Sequence, residues 1–221
     1  MNEDEQLPGE TTKRCRILVT SFGPFSQYEV NPSTSVLRKA EEILNSLNER
    51  TLNVNDVKFI FDFPVCYAQV DKYLPEIVEK YNPRILIHLG VGGQNDVLYF
   101  EKGAFCRGYV KTDILGNVPL NNYSADQCPK NVILRPDAEL MSVLNCIIAK
   151  ENLPVKFDFS DSAGRYLCEY IYHKSLSLSN GRSIFIHIPL SIAANESEMI
   201  FDQLVELCAQ SLVIFLLELV K

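Results

Sequence analysis

Strand-like and helix-like segments take turns along this chain, and that alternation restricts the fold more than any other feature. Arg16-Ile-Leu-Val-Thr20 is a short β-branched run, and Ser21-Phe-Gly-Pro-Phe25 behind it is rich in turn formers. A helix is expected from Asn31-Pro32-Ser33, with proline in the first turn, where its missing N–H leaves no bond unmade. Val36, Leu37, Ala40, Ile43, Leu44 and Leu47 then recur at helical spacing, as do Val70, Tyr73, Leu74, Ile77, Val78 and Tyr81 further on. Val57 to Phe63 reads as the second strand and Ile85 to Leu89 as a buried third. From Gly90 to Pro129 the pattern loosens into loops, with short strands expected at Leu98 to Phe100 and Arg107 to Val110. Helices are predicted over 136–150, 163–176 and 197–220, and strands over 155–159 and 183–188. The reading is one α/β domain over 14–221: a three-layer α/β/α sandwich around a mostly parallel, mixed sheet. Residues 1–13 form an expected disordered acidic leader.

Composition then removes several function classes. Twenty-eight acidic against 21 basic residues give a net charge of −7, with no clustered Lys/Arg stripe of the kind phosphate backbones require, so nucleic acid is not an expected partner. Seven cysteines at 15, 66, 106, 128, 146, 168 and 208 are odd in number, widely spaced and without a C-x-x-C pair. That spacing argues against a zinc site and against a secreted disulfide framework; most of these residues read as small buried hydrophobes in a reducing compartment. The polar, acidic start Met1-Asn-Glu-Asp-Glu5 is unlike a signal or transit peptide. Leu212 to Leu217, the most apolar run, is far shorter than the ~20 residues a membrane span needs. The expectation is a cytosolic protein with no metal, no cofactor and no membrane partner, monomeric or homo-oligomeric.

In an open parallel sheet, ligands bind beyond the carboxyl ends of the strands. The segments expected there are Phe22-Gly-Pro-Phe25, Gly90-Val-Gly-Gly-Gln94, Ser160 through Cys168, and His187 with Pro189. Cys168 lies early in its helix and His187 late in the strand that returns, 187 − 168 = 19 residues later, about one helix-and-strand leg, so right-handed crossover geometry can bring thiol and imidazole together. Along that strand Ile184, Ile186 and Ile188 share one face and Phe185 and His187 the other. A nearby imidazole favours the thiolate, the reactive form of cysteine. The helix N-terminus adds a weaker push, since a helix begun at 163 puts Cys168 in its second turn, and the N–H groups around Leu167 and Cys168 are candidate donors to an oxyanion. Glu101 is a carboxylate within reach of orienting the imidazole. Each residue also has a plainer reading: Cys168, Phe22 and Phe25 as core, His187 as a satisfied strand histidine, Glu101 as a surface acid. The Gly90 segment lacks both a third phosphate-binding glycine and a Walker lysine, and reads as a tight turn. His88 and His173 read as structural.

Leu18-Val-Thr-Ser-Phe-Gly-Pro-Phe25 with Val30-Asn-Pro-Ser33, Leu89-Gly-Val-Gly-Gly93 running to Phe100-Glu-Lys102, Ser162-Ala-Gly-Arg-Tyr-Leu-Cys168 and Phe185-Ile-His-Ile-Pro189 together resemble the pyroglutamyl-peptidase I family of cysteine peptidases. They fall in family order over residues 16 to 190. The resemblance implies Cys168 as nucleophile, His187 as general base and Glu101 as the residue orienting it. It also implies Phe22 and Phe25 against a pyroglutamyl ring, main-chain groups near Val91 on the lactam edge, and small pyroglutamyl peptides as substrates. Ser26 departs from the glycine usual after the FGPF motif, Ser162 stands where relatives often have Thr or Asp, and some bacterial relatives carry Gln at Val91. The alternatives are a cysteine amidase of different specificity, and an inactive peptide- or nucleotide-binding module on the same scaffold.

Overall fold

The computed structural model describes residues 15–26, 29–47, 56–93, 96–127, 129, 132–189 and 198–220. The expected leader over residues 1–13 lies outside them. In chain order the elements are β1 (Ile17–Phe22), α1 (Pro32–Ser46), β2 (Val57–Phe63), α2 (Tyr67–Tyr81), β3 (Ile85–Gly93), β4 (Leu98–Glu101), β5 (Ala104–Phe105), β6 (Ile133–Leu134), α3 (Ala138–Ile148), β7 (Phe157–Ser160), α4 (Leu167–Leu178), β8 (Ser183–Pro189) and α5 (Glu198–Leu219). Six strands form one sheet in the order β2-β1-β3-β8-β4-β7, and β5 pairs with β6 apart from it. The first four run parallel; β4 runs antiparallel to β8, and β7 runs parallel to β4. The sheet is therefore mixed and mostly parallel, with helices on both faces.

Strand periodicity divides the core in two. Ile87 and Leu89 of β3, with Ile184, Ile186 and Ile188 of β8, enter a cluster under α1, α3 and α5. Phe185 faces the other way, into a cluster with Tyr67, Val70 and Leu74 of α2 and Leu167, Tyr170, Ile171 and Tyr172 of α4. Both faces of β8 are buried along its whole length, as expected for a central strand covered on two sides. By length and apolarity α5 could cross a bilayer over Met199–Leu219, a feature that the short run 212–217 understated. Here Val205, Cys208, Ala209, Leu212, Val213, Phe215 and Leu216 bury themselves in the first cluster.

Four expectations are corrected. The stretch from Gly90 to Gly93 is not a turn but the end of β3, paired with His187 through Pro189 with a register shift between Val91 and Gly93. Arg107 to Val110 is no strand; Arg107 makes only an isolated bridge to Tyr123. β7 runs against β8, so these strands are not the parallel pair that a right-handed crossover joins. α4 instead folds straight back along β8, and that leg alone returns the chain to the edge where β1 and β3 end. Finally, α4 starts at Leu167 rather than 163, because Gly164 and Arg165 both take positive φ, 95° and 53°, conformations that no right-handed helix admits. Among the cysteines, Cys15, Cys66, Cys146, Cys168 and Cys208 are free, whereas Cys106 is disulfide-bonded and so falls outside the reading of most of these residues as small buried hydrophobes in a reducing compartment.

Candidate active site

The carboxyl ends of β1, β3 and β8 share one edge of the sheet, and three segments converge there. The first is the loop after β1. Asn31 caps α1: its Oδ1 accepts from Ser33 N at 3.0 Å and from Ser33 Oγ at 2.8 Å, while its Nδ2 donates to Gly23 O at 3.0 Å. Thr34 Oγ1 donates to Phe22 O at 2.9 Å, and Phe22 N donates to Ser33 Oγ at 3.3 Å. One helix cap thus holds the Phe-Gly-Pro-Phe turn in place. Phe22 is buried and its ring lies 6.4 Å from that of Phe185; Phe25 is half-buried against the same cluster. Ser26 follows at φ 52°, a left-handed position where glycine carries no steric penalty.

The second segment is the end of β3. Gly90 and Gly92 project toward the α2–α4 side, and no side chain larger than hydrogen fits at either. A Cβ on Gly90 would stand 2.8 Å from Phe185 Cζ and 3.0 Å from Cys168 Sγ; one on Gly92 would stand 2.9 Å from His187 Cδ2. These glycines were missed as site residues, although two glycines spaced by two in a β-branched run signal close approach on one strand face. Val91, between them, directs its side chain to the opposite face, into the α1–α5 cluster. Only its main chain is left on the site edge.

The third segment joins β8 to its neighbours. His187 pairs with Gly90 across β3–β8 and with Tyr99 across β8–β4. Its ring stacks obliquely on Phe185, centroids 4.7 Å apart. Nδ1 lies 2.6 Å from Glu101 Oε1 at the end of β4. Glu101 is 1% exposed, so the plain reading of a surface acid does not hold for it. Its own backbone carbonyl accepts from Tyr172 Oη at 2.9 Å, tying β4 to α4. The Cys168 thiol lies beside the imidazole, its Sγ against the Cβ space of Gly90 and the His187 ring against that of Gly92, and it favours the charged form of the ring. Cys168 occupies the second position of α4, inside the first turn, where N–H groups lack intrahelical partners and the helix dipole is felt. Carboxylate, imidazole and thiol therefore stand in one row, with a hydrogen bond joining the first two.

Electrostatics follow from that row. Burial opposes a charge on His187, but hydrogen bonds to Cys168 and Glu101 and the charges they carry outweigh it, raising the imidazole to about 9. The other two histidines behave oppositely. Burial pushes His88 down to about 3, with Nδ1 2.7 Å from Thr20 Oγ1 and Nε2 without a partner. Burial, helped by Lys174, lowers His173 to about 4, its Nδ1 2.9 Å from Ser124 Oγ. Both stay neutral. No group of three or more His, Cys, Asp or Glu that could hold a metal occurs among the described residues.

Comparison with known proteins gives this row a context. A family model described as "Putative pyroglutamyl peptidase PgaPase_1" matches residues 14–191. The chain belongs to the pyroglutamyl peptidase family. Human pyroglutamyl-peptidase 1 is 30% identical over 178 residues, 80% of this chain and 79% of that protein. The pyrrolidone-carboxylate peptidase of Fusobacterium nucleatum is 24% identical over 185 residues, 79% of this chain and 78% of the other. In structure, the pyrrolidone carboxyl peptidase of Fervidobacterium islandicum superposes with a TM-score of 0.70 at 22% identity, covering 92% of this chain and 97% of that one. The six-stranded mixed sheet is thus the pyroglutamyl peptidase fold.

Proposed function

We propose that this chain is a cysteine peptidase that removes an N-terminal pyroglutamyl residue from peptides through a thioester on Cys168. The observation that carries the reading is the row Glu101–His187–Cys168, whose carboxylate and imidazole are buried 2.6 Å apart and whose thiol is half-buried. His187 takes the thiol proton and holds it; the thiolate adds to the pyroglutamyl carbonyl, and N–H groups of the first turn of α4 receive the oxyanion. The imidazolium then protonates the departing amine, and water, deprotonated by His187, releases pyroglutamate from the sulfur. Glu101 holds the ring in one tautomer and balances its charge. Phe22 and Phe25, fixed by the Asn31 cap, offer aromatic walls to a flat, neutral lactam, which lacks the ammonium that ordinary aminopeptidases grip. Main-chain groups at Val91 are available to the lactam's polar edge.

The test is turnover of a fluorogenic pyroglutamyl amide beside prolyl and glutaminyl amides. The native chain should prefer the lactam strongly, and Cys168→Ala should abolish turnover while the chain stays folded. Activity surviving in that variant removes Cys168 from the chemistry, and equal turnover of all three amides removes the lactam specificity.

A further inference from the structure

Beside the nucleophile sits a carboxylate that the proposed reaction does not use. Glu169 is 1% exposed. An acid in the first turn of a helix is ordinarily a solvated counter-charge to the helix dipole, but this one is buried, and its two oxygens are engaged by backbone donors from different parts of the chain. Oε2 accepts from Arg165 N at 2.8 Å, and Oε1 accepts from Phe105 N at 2.9 Å. Arg165 completes the arrangement. Its Nε lies 3.5 Å from Glu169 Oε1, its Nη1 donates to Arg107 O at 2.5 Å, and its guanidinium lies 3.7 Å over the Phe105 ring. Tyr109 Oη donates to Phe105 O as well.

The placement of these bonds matters more than their number. Phe105 lies four residues beyond Glu101 on the same run of chain. Arg165, at φ 53°, and Gly164, at φ 95°, form the left-handed turn that delivers the chain into α4 one step before Leu167 and Cys168. Glu169 therefore bridges the segment that carries the acid of the row to the turn that aims its thiol. A non-glycine residue in the left-handed region costs free energy, and the hydrogen bond from Arg165 N to Glu169 offsets that cost at the position where it arises.

We propose that Glu169, braced by Arg165, is a positioning residue that clamps the segment after Glu101 to the first turn of α4 and so sets the thiol of Cys168 against His187. This rests on the proposed function for its catalytic consequence, but the geometry it asserts has a readout of its own. Two backbone N–H groups face the carboxylate, so both of its oxygens must accept. Glutamine can satisfy only one of them and turns its amide N–H₂ toward the other.

The experiment compares the native chain with Glu169→Gln and Arg165→Lys. It follows iodoacetamide alkylation of Cys168 across pH, read on the Cys168 peptide by mass spectrometry, alongside thermal unfolding and pyroglutamyl-amide kinetics. With the clamp loosened, Cys168 alkylation near pH 6.5 should slow by about tenfold, with rates converging near pH 10, where an imidazole partner no longer matters. kcat should fall roughly 10- to 100-fold with KM little changed, as expected when alignment rather than binding is lost. Arg165→Lys keeps the charge but loses the fork to Arg107 O, and should show the same changes to a smaller degree; it carries the test alone if Glu169→Gln does not fold. A purely structural Glu169 would lower the unfolding temperature and leave the alkylation profile of the folded protein unchanged; that result in whichever variant folds overturns the clamp. If the native chain turns over no pyroglutamyl amide while the alkylation profile still shifts, the proposed reaction fails and the clamp stands.

Discussion

A carboxylate and an imidazole buried 2.6 Å apart at Glu101 and His187 make a pH-dependent unit whose sign can be worked out. Burial works against the imidazolium, and the bonds and charges of Cys168 and Glu101 overcome it, so the folded-state value rises to about 9 from 6.5. A group whose folded pKa is raised stabilises the fold fully below its unfolded value and loses that contribution as pH climbs through the folded value. Urea unfolding should therefore show stability declining from pH 6.5 to 9.5 more steeply in the native chain than in His187→Gln. Glu101→Gln removes one of the charges that holds the proton on His187. Its alkaline decline should begin at lower pH, and kcat for a pyroglutamyl amide should fall by roughly 10²- to 10⁴-fold, the range seen when the acid behind a catalytic histidine loses its charge. A pH–kcat profile with an unmoved alkaline limb would show that Glu101 does not set the imidazole's protonation.

Elements place these residues, and the element that most repays study is the start of α1. Asn31 serves Ser33 and Gly23 at once, so Asn31→Ala should cost about 1 kcal/mol of stability as a lost cap. Because the same side chain holds the Phe22–Phe25 turn, KM for a pyroglutamyl amide should rise several-fold with kcat changed less. A stability loss with unaltered KM would mean that the turn holds its shape without the cap. Much at this scale was legible in the chain. Asn31-Pro32 announced the helix start, and the alternation in Ser183 to Ile188 correctly sorted His187 from the isoleucines, because a two-residue period is written directly in side-chain type. Other features were not. The glycine-rich stretch from Gly90 read as a turn because local composition cannot reveal that a cysteine and a histidine from 78 and 95 residues further on occupy the Cβ space of Gly90 and Gly92. The start of α4 was set too early because Ala163-Gly-Arg-Tyr166 carries no signal that Arg165 will be left-handed. The direction of β7 was missed because a short strand reads the same parallel or antiparallel.

The molecule as a whole separates what makes it stable from what sits at its edge. One core, under α1, α3 and α5, holds the aliphatic faces of β3 and β8 and the stacked Phe100 and Phe157, with Phe215 of α5 5.0 Å and 5.8 Å from them. The other, under α2 and α4, carries Phe185 and the aromatic residues around Cys168. The sheet between them is one residue thick, and its pleat sends Phe100 to the first core while its neighbour Glu101 faces the site. Phe215→Ala empties a fully buried aromatic position, and core truncations of that size cost about 3–5 kcal/mol. If the sheet insulates the two layers, the urea midpoint should drop accordingly while kcat/KM at 25 °C, measured on the folded protein, stays within about twofold. The opposite outcome is equally informative. A parallel fall in kcat/KM would mean that Phe100 passes the vacancy along β4 to Glu101, since close-packed interiors transmit strain. Tyr172→Phe then discriminates, because it removes only the bond to the Glu101 carbonyl and leaves the opposite core filled. Activity lost there and not in Phe215→Ala locates the mechanical support of the row on the α4 side of the sheet.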